Sequence, residues 1–174
     1  MPAWLVLIHY KPHRSQHAGD ETPHLTVQRN PRARPYPAAT MLELQAPGGD
    51  IFEVDVEALC VPVNARAAAG AGLAKAAAAR WPKWLASYKD CCRLGRMTGA
   101  EHEIHSVPVL HRRRQSDLFD EEHRLYVVSV PTKYHWREPA SYQLIRESLQ
   151  RLADAALRRP WLRVAVPALG CGLG

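Results

Sequence analysis

The stretch RLYVVSVPTKYHWREP, residues 124–139, places an apolar strand directly before a lysine, an aromatic cluster and the start of a helix. Residues 124–132 form a nearly continuous apolar run, which is typical of a strand buried on both faces. Lys133 therefore stands at the carboxyl end of a predicted strand. Such a lysine is either a surface side chain or an amine held at the mouth of a ligand site, and this stretch alone leaves both interpretations open.

Strands and helices alternate on both sides of this stretch. Further strands are predicted for MLELQ (41–45), EALCVPVN (57–64), EHEIHSVPVLH (101–111) and WLRVAVPAL (161–169). Helices are predicted for GLAKAAAARWP (72–82), which Pro82 halts or kinks, for KWLASYKDCCRL (83–94) and for residues 138–159. In the last helix the apolar face is predicted to consist of Tyr142, Ile145, Leu149, Leu152 and Ala156. This order predicts an α/β layered domain with ligands at the carboxyl ends of its strands.

The first forty residues have a different composition. Residues 9–40 are rich in proline, histidine and arginine and show no sustained period of a strand or a helix. We therefore predict a loose N-terminal extension over residues 1–40, in which the run at residues 4–10 is a candidate edge strand. The folded domain is expected to occupy residues 41–174.

Charge and cysteine content limit the class of protein. The 174 residues carry a net charge of +6, which favours an anionic partner such as a nucleotide or a nucleic acid. The four cysteines include no C-x-x-C pair, so we expect reduced thiols in a cytoplasmic protein and no zinc site. The early apolar run WLVLIHY is too short to span a bilayer and lacks the flanks of a signal peptide, so no membrane contact is expected.

Glycines follow the predicted strands in three places: GGDIF (48–52), NARAAAGAGLA (64–74) and GCGLG (170–174). Glycine lets backbone N–H groups approach an anion closely, and a following helix adds its positive end. A single stretch of this kind is more often only a turn. Neither a Walker A motif nor a complete G-x-G-x-x-G is present, which argues against P-loop or Rossmann chemistry.

The order of these motifs resembles a known family. GDIFEVDVEALCVPVNARAAAGAGLA, PTKYHWREPASYQLIRESLQRL and VAVPALGCGLG together look like a macrodomain, the ADP-ribose-binding α/β fold, over residues 41–174. Within that family they resemble the antitoxin branch of the DarT–DarG pair, which removes ADP-ribose from thymidine in DNA. The resemblance implies a three-layer α/β/α domain with a mixed central sheet and an ADP-ribosyl glycohydrolase activity.

The resemblance also implies roles for single residues. Lys133 would be the catalytic nucleophile at the anomeric carbon of the distal ribose, and desolvation at the strand end would disfavour its ammonium form. Asp50, beside Ile51, would accept a hydrogen bond from the adenine, although an aspartate here also fits a turn cap. Asn64 would contact the distal ribose. The other implied ligand-binding residues are Gly70, Gly72, Leu73, Thr132, Gly170, Cys171, Gly172, Leu173 and Gly174.

The residues after Lys133 are candidate substrate contacts. His135, Trp136 and Arg137 would line the same mouth, where Trp136 could stack on a base and Arg137 could contact a DNA phosphate. The implied ligand is ADP-ribose. ADP-ribosylated DNA and a cognate ADP-ribosyltransferase toxin are the further partners, and neither a metal nor a cofactor is expected.

The chain departs from the branch at three points. Val61 stands where branch members usually carry an asparagine, and AGAG at residues 69–72 replaces a usual M-G-K-G. The family also continues beyond GCGLG, so we expect the C-terminal end of the domain to be missing. Two other functions therefore stay open: an ADP-ribose reader without turnover, and a hydrolase of ADP-ribosylated protein carboxylates.

Overall fold

A mixed sheet of six strands organises the protein. The computed structural model describes residues 5–10, 40–45, 50–99, 101–112, 122–159, 161 and 163–171. The strands are β1 (Leu5–Tyr10), β2 (Thr40–Gln45), β3 (Ala58–Asn64), β4 (Ser106–Arg112), β5 (Glu122–Lys133) and β6 (Arg163–Pro167). Their order is β2-β1-β6-β3-β5-β4. Strand β3 runs parallel to β5 and β6, and the other pairs are antiparallel.

Helices cover both faces of this sheet. They are α1 (Gly72–Arg80), α2 (Pro82–Arg93) and α3 (Tyr142–Arg158), and a short 3₁₀ helix spans Ile51–Glu53. Because successive side chains of a strand point to opposite faces, β3 contributes to two cores. Leu59 and Val61 pack in the core with α1 and α2, whereas Ala58 and Cys60 pack in the core with α3. The predicted three-layer α/β/α fold with a mixed central sheet is thus confirmed.

Strand β1 lies inside the sheet. Residues 5–10 pair with β2 on one side and with β6 on the other, both antiparallel. Their assignment to a loose extension, or at most to an edge strand, is therefore wrong, because the short apolar run has backbone partners on both sides. Residues 11–39 lie outside the described residues, so the division of the chain at residue 40 stays a prediction.

Helix α3 buries a face that differs in part from the predicted one. Tyr142 is 81% exposed and Leu149 also faces outward. The buried residues of the helix are Leu144, Ser148, Arg151, Leu152 and Ala155. Two of these are polar and were not assigned to the core, but each finds a backbone acceptor: Ser148 Oγ donates to the carbonyl of Pro131 at 2.9 Å, and Arg151 donates to a carbonyl after α2. The predicted face is correct at Leu152, which is buried, and Ala156 packs half-buried against the same core. It is wrong at Tyr142 and Leu149, because the buried polar side chains Ser148 and Arg151 take part of the inner face.

A buried polar cluster joins α2 to β5. Trp84 Nε1 donates to Ser129 Oγ at 3.1 Å, and His105 Nδ1 lies 2.8 Å from the same oxygen. The other ring nitrogen of His105 lies 2.9 Å from Ser87 Oγ. Burial lowers the pKa of His105. A neutral imidazole suits this position, since it can accept at one nitrogen and donate at the other.

The structure changes the start of one predicted strand. Strand β4 begins at Ser106 rather than at residue 101, and the charged loop after it, residues 113–121, lies outside the described residues. Across the described ranges, no helix has both the length and the apolar character that crossing a bilayer requires.

Candidate functional site

Three strands end at the same edge of the sheet. Because β3 is parallel to both β5 and β6, their carboxyl ends share one edge. Asn64 is the last residue of β3, Lys133 is the last of β5, and the segment containing Gly170 follows β6. The predicted site residues on these three segments are therefore brought to one place, as the α/β pattern indicated.

A bulge sets the position of Lys133. Val63 pairs with Pro131, but the next residue, Asn64, pairs with Lys133, so Thr132 is the extra residue on β5. Thr132 is fully buried, and its Oγ1 donates to the carbonyl of Val63 at 3.3 Å. Adjacent strands lie about 4.8 Å apart. The bulge thus places Lys133 directly beside Asn64.

Lys133 is enclosed rather than exposed. Only 7% of its surface is accessible, whereas the next residue, Tyr134, is 48% exposed. The interpretation of Lys133 as a surface side chain is therefore wrong. The carbonyls of Lys133 and Tyr134 both accept from the backbone N–H of Ala65, at 3.2 and 3.1 Å, which ties this strand end to the loop after β3. The nucleophilic role of Lys133 stays a prediction.

Asn64 shapes the loop that follows it. Its Oδ1 accepts from the N–H groups of Arg66 and Ala68 at 2.9 and 3.2 Å, and its Nδ2 donates to the carbonyl of Ala68 at 2.7 Å. These bonds support Ala67 in a left-handed conformation with φ of 63°. The contact of Asn64 with a ribose stays a prediction, since the described bonds of its carboxamide are to its own loop and, at 3.4 Å, to the hydroxyl of Tyr88.

Tyr88 on α2 supports Asn64, and the sequence did not single it out. Its hydroxyl donates to the Asn64 carbonyl at 2.6 Å. Its ring is fully buried and stacks on Trp84, with centroids 5.6 Å apart. Burial, together with Cys92 beside it, raises the pKa of Tyr88, so the hydroxyl keeps its donor proton. The spacing of four residues between Trp84 and Tyr88 was the available signal, since it puts both rings on one face of α2.

The first glycine loop leads into α1. Gly72 begins the helix with φ of 55°, and a side chain at Gly72 or Gly70 would point into open space. Leu73 is half-buried against the core with α1 and α2. A loop with open space around its glycines, followed by a helix N-terminus, is compatible with the predicted contact to an anionic group. That contact stays a prediction.

The second glycine loop packs against the start of α3. Gly170 has φ of 76°, and a Cβ there would lie 3.2 Å from Ile145 Cδ1 and 3.4 Å from Ala140 Cβ. Cys171 is exposed. Gly172, Leu173 and Gly174 lie outside the described residues, so their predicted roles cannot be placed on the fold.

Asp50 caps the 3₁₀ helix. Its Oδ1 accepts from the N–H of Phe52 at 2.9 Å, so the alternative of a turn cap is confirmed. The Phe52 carbonyl accepts from His111 Nε2 at 2.8 Å, and His111 pairs with the amino-terminal part of β5. Asp50 and Ile51 are therefore linked, through Phe52 and His111, to the end of β5 that lies opposite Lys133. The adenine contact of Asp50 stays a prediction.

The carboxyl edge combines an enclosed lysine with an ordered loop. Lys133 is buried beside the loop after β3, whose backbone N–H groups at Arg66 and Ala68 donate to the Asn64 carboxamide. Within the part of the chain that the structure describes, no group of three or more histidine, cysteine, aspartate or glutamate side chains is placed to hold a metal ion.

Comparison with solved structures identifies the family. No family model matches the chain. The macrodomain of Mycobacterium tuberculosis DarG is 30% identical to it, with a TM-score of 0.59 over 73% of this chain and 76% of that one. The chain belongs to the DarG macrodomains. The resemblance inferred from the three motifs is confirmed.

A further solved structure and two curated relatives extend the comparison. The solved structure titled Thermosipho africanus DarTG in complex with ADP-ribose is 29% identical to this macrodomain, with a TM-score of 0.58. The curated DNA ADP-ribosyl transferase-DNA ADP-ribosyl glycohydrolase fusion protein of Thermosipho africanus is 28% identical in an alignment of 136 residues that covers 72% of this chain. The DNA ADP-ribosyl glycohydrolase of Mycobacterium bovis is 29% identical over 126 residues. The macrodomain spans about a third of the length of these curated relatives, 34% and 33%.

Proposed function

We propose that this macrodomain removes ADP-ribose from nucleobases of DNA, with thymidine as the modified nucleoside and Lys133 as the nucleophile. Relatives named DNA ADP-ribosyl glycohydrolase support the reaction class. The single observation that carries the proposal is the position of Lys133, which is enclosed at the carboxyl edge of the sheet and paired with Asn64 across the bulge. A lysine held there by the backbone is positioned to react with a bound sugar.

The reaction proceeds in two steps. The Lys133 amine attacks the anomeric carbon of the distal ribose, and the bond between that carbon and the base nitrogen breaks. The electron pair of the broken bond goes to the base, which takes up the proton that the amine loses. Water then attacks the same carbon, releases ADP-ribose and restores the amine. Neither step consumes an oxidant, a reductant or a metal.

ADP-ribose is the proposed ligand and product. The Thermosipho africanus structure contains ADP-ribose, which supports binding of the same ligand here. The glycine loops at residues 70–72 and 170–171 flank the edge and have room for an anionic group at Gly70 and Gly72. The fusion protein joins a transferase to a glycohydrolase in one chain, so we infer that the partner is a DNA ADP-ribosyl transferase whose product this macrodomain removes.

Lys133→Ala and Lys133→Arg test the chemistry. The substrate is an oligonucleotide that carries ADP-ribose on thymine, and the measurement is the rate of ADP-ribose release. Loss of a nucleophile lowers turnover by roughly a thousandfold or more. The arginine variant fails as well, because a guanidinium stays protonated and is a poor nucleophile. Calorimetry with free ADP-ribose should show nearly unchanged affinity, since a group needed along the reaction path adds little to ground-state binding.

Lys89→Ala is the matched control, because Lys89 is an exposed lysine on α2. It should turn over like the wild type. Equal turnover by Lys89→Ala and Lys133→Ala would remove Lys133 from the reaction. If the wild type binds ADP-ribose but releases none from DNA, an ADP-ribose reader becomes the better account, and release from an ADP-ribosylated carboxylate peptide would instead indicate a protein substrate.

A further inference from the structure

An exposed aromatic turn follows Lys133 directly. Residues 134–137, called the platform below, contain two large aromatic side chains that are about half exposed, Tyr134 at 48% and Trp136 at 50%. His135 stacks on Trp136 with ring centroids 5.3 Å apart, and the guanidinium carbon of Arg137 lies 4.4 Å from the centre of the Trp136 ring. Planar groups and a cation are therefore grouped at the site edge, and much of their surface is left open.

Hydrogen bonds hold the platform in one shape. The N–H of Arg137 lies 3.2 Å from His135 Nδ1, and the N–H of Glu138, the next residue, donates to the His135 carbonyl at 3.0 Å. At its base the N–H of Ser141 donates to the carbonyl of Thr132 at 2.8 Å, which closes the turn where α3 begins. A preformed surface loses little conformational freedom when a ligand binds, so the half-exposed rings of Tyr134 and Trp136 are held in place for a ligand.

The charges around the platform favour a polyanion. Arg137 belongs to it, and Arg66 is exposed on the loop whose Ala65 N–H bonds to the Tyr134 carbonyl. Glu138 is the acidic residue of the same turn, and its Oε2 accepts from the N–H of His135 at 3.2 Å. The whole chain carries a net charge of +6. Aromatic rings interleaved with arginines are the usual surface for unpaired bases and their phosphates.

We propose that the platform is a second subsite, which stacks a base neighbouring the modified nucleotide while Arg137 contacts the phosphate between them. The inference rests on the proposed function, since it assigns a place to the DNA on either side of the reacting nucleotide. Three residues from Lys133 to Trp136 span at most about 10 Å, so the platform lies within one or two nucleotides of the reacting sugar. The neighbouring base, rather than the ADP-ribose alone, thereby contributes to substrate recognition.

Abasic neighbours separate stacking from phosphate contacts. Two oligonucleotides are compared, both carrying ADP-ribose on a central thymine, one with normal neighbouring bases and one with abasic sites that keep the phosphates. For the wild type, the KM with abasic neighbours should be higher by roughly five- to a hundredfold, the size of one base–aromatic stacking contact. In Trp136→Ala the ratio of these two KM values should fall close to one. In Trp136→Phe, which keeps a planar ring, most of the difference between the two KM values should be restored.

Tyr142→Ala is the matched control, because Tyr142 is an exposed aromatic residue at the start of α3, outside the platform. It should keep both the ratio and the turnover of the wild type. A second measurement does not depend on turnover: polarisation of a labelled, unmodified single-stranded oligonucleotide, which Trp136→Ala should bind more weakly than Tyr142→Ala does. Equal KM values for the two substrates in the wild type, or equal oligonucleotide binding by the two alanine variants, would overturn the subsite. Absence of ADP-ribose release by the wild type, with the binding difference intact, would instead count against the proposed reaction alone.

Discussion

Replacing Tyr88 with phenylalanine isolates one buried hydrogen bond near the site. The ring that stacks on Trp84 remains, and only the hydroxyl that donates to the Asn64 carbonyl at 2.6 Å is lost. Tyr88 is fully buried, so water does not replace the missing donor. Among the described side-chain donors, the Asn64 carbonyl then keeps only the weak thiol of Cys92, at 3.9 Å. A buried acceptor that loses its strong partner costs about 1–3 kcal/mol. In a chain of this size each kcal/mol lowers the melting temperature by about 2–4 °C, so we expect a decrease of roughly 2–12 °C.

Thermal and urea unfolding of the purified chain measure this change. Tyr142→Phe is the control, because that hydroxyl belongs to a side chain that is 81% exposed. A surface change of this kind should stay within about 0.5 kcal/mol of the wild type. If Tyr88→Phe has the same melting temperature as Tyr142→Phe, the Tyr88 hydroxyl does not stabilise the end of β3. The account of how α2 supports the Asn64 loop would then fail.

Three further variants test the backbone and the half-buried His105. Gly170→Ala should destabilise the fold by about 1–2 kcal/mol, because φ of 76° is strained for an L-residue and the new Cβ would lie 3.2 Å from Ile145 Cδ1. Gly70→Ala, with open space and no positive φ, should be near neutral in the same denaturation assay. His105 has a lowered pKa in the folded state, so the unfolded chain binds its proton first, and stability should fall as the pH drops below about 6.5. In His105→Asn that part of the decline should disappear, and parallel pH profiles of the two proteins would contradict it.

The sequence predicts the strand ends of the site well, because the relevant information is local. The apolar runs of β3 and β5 end where Asn64 and Lys133 begin, and both residues were placed correctly at strand ends. Parallel strands then bring the two together at one edge. The resemblance to macrodomains came from the same motifs, since their glycines and polar residues lie at fixed places after each strand.

Features that depend on residues far away in the chain are not predicted by local sequence patterns. The bulge at Thr132 exists only relative to the register of β3, and no local pattern marks it. The buried face of α3 includes Ser148, whose burial depends on the Pro131 carbonyl of another element. Tyr88 likewise finds its acceptor on β3, far from it in the chain. Polar side chains in the core are satisfied by tertiary contacts, so hydrophobic periodicity assigns them to the surface.

The place of β6 in the sheet has a consequence for biosynthesis. Among the strands that the structure describes, β6 is the last in chain order, yet it lies between β1, the first of them, and β3. Leu5 pairs with Pro167 across one side, and Ala58 pairs with Val164 across the other. Until the ribosome has produced these five residues, the β1–β2 pair and the β3–β5–β4 group share no ladder of hydrogen bonds. The facing edges of β1 and β3 therefore stay unpaired until β6 has been made, and β6 closes both of them at once.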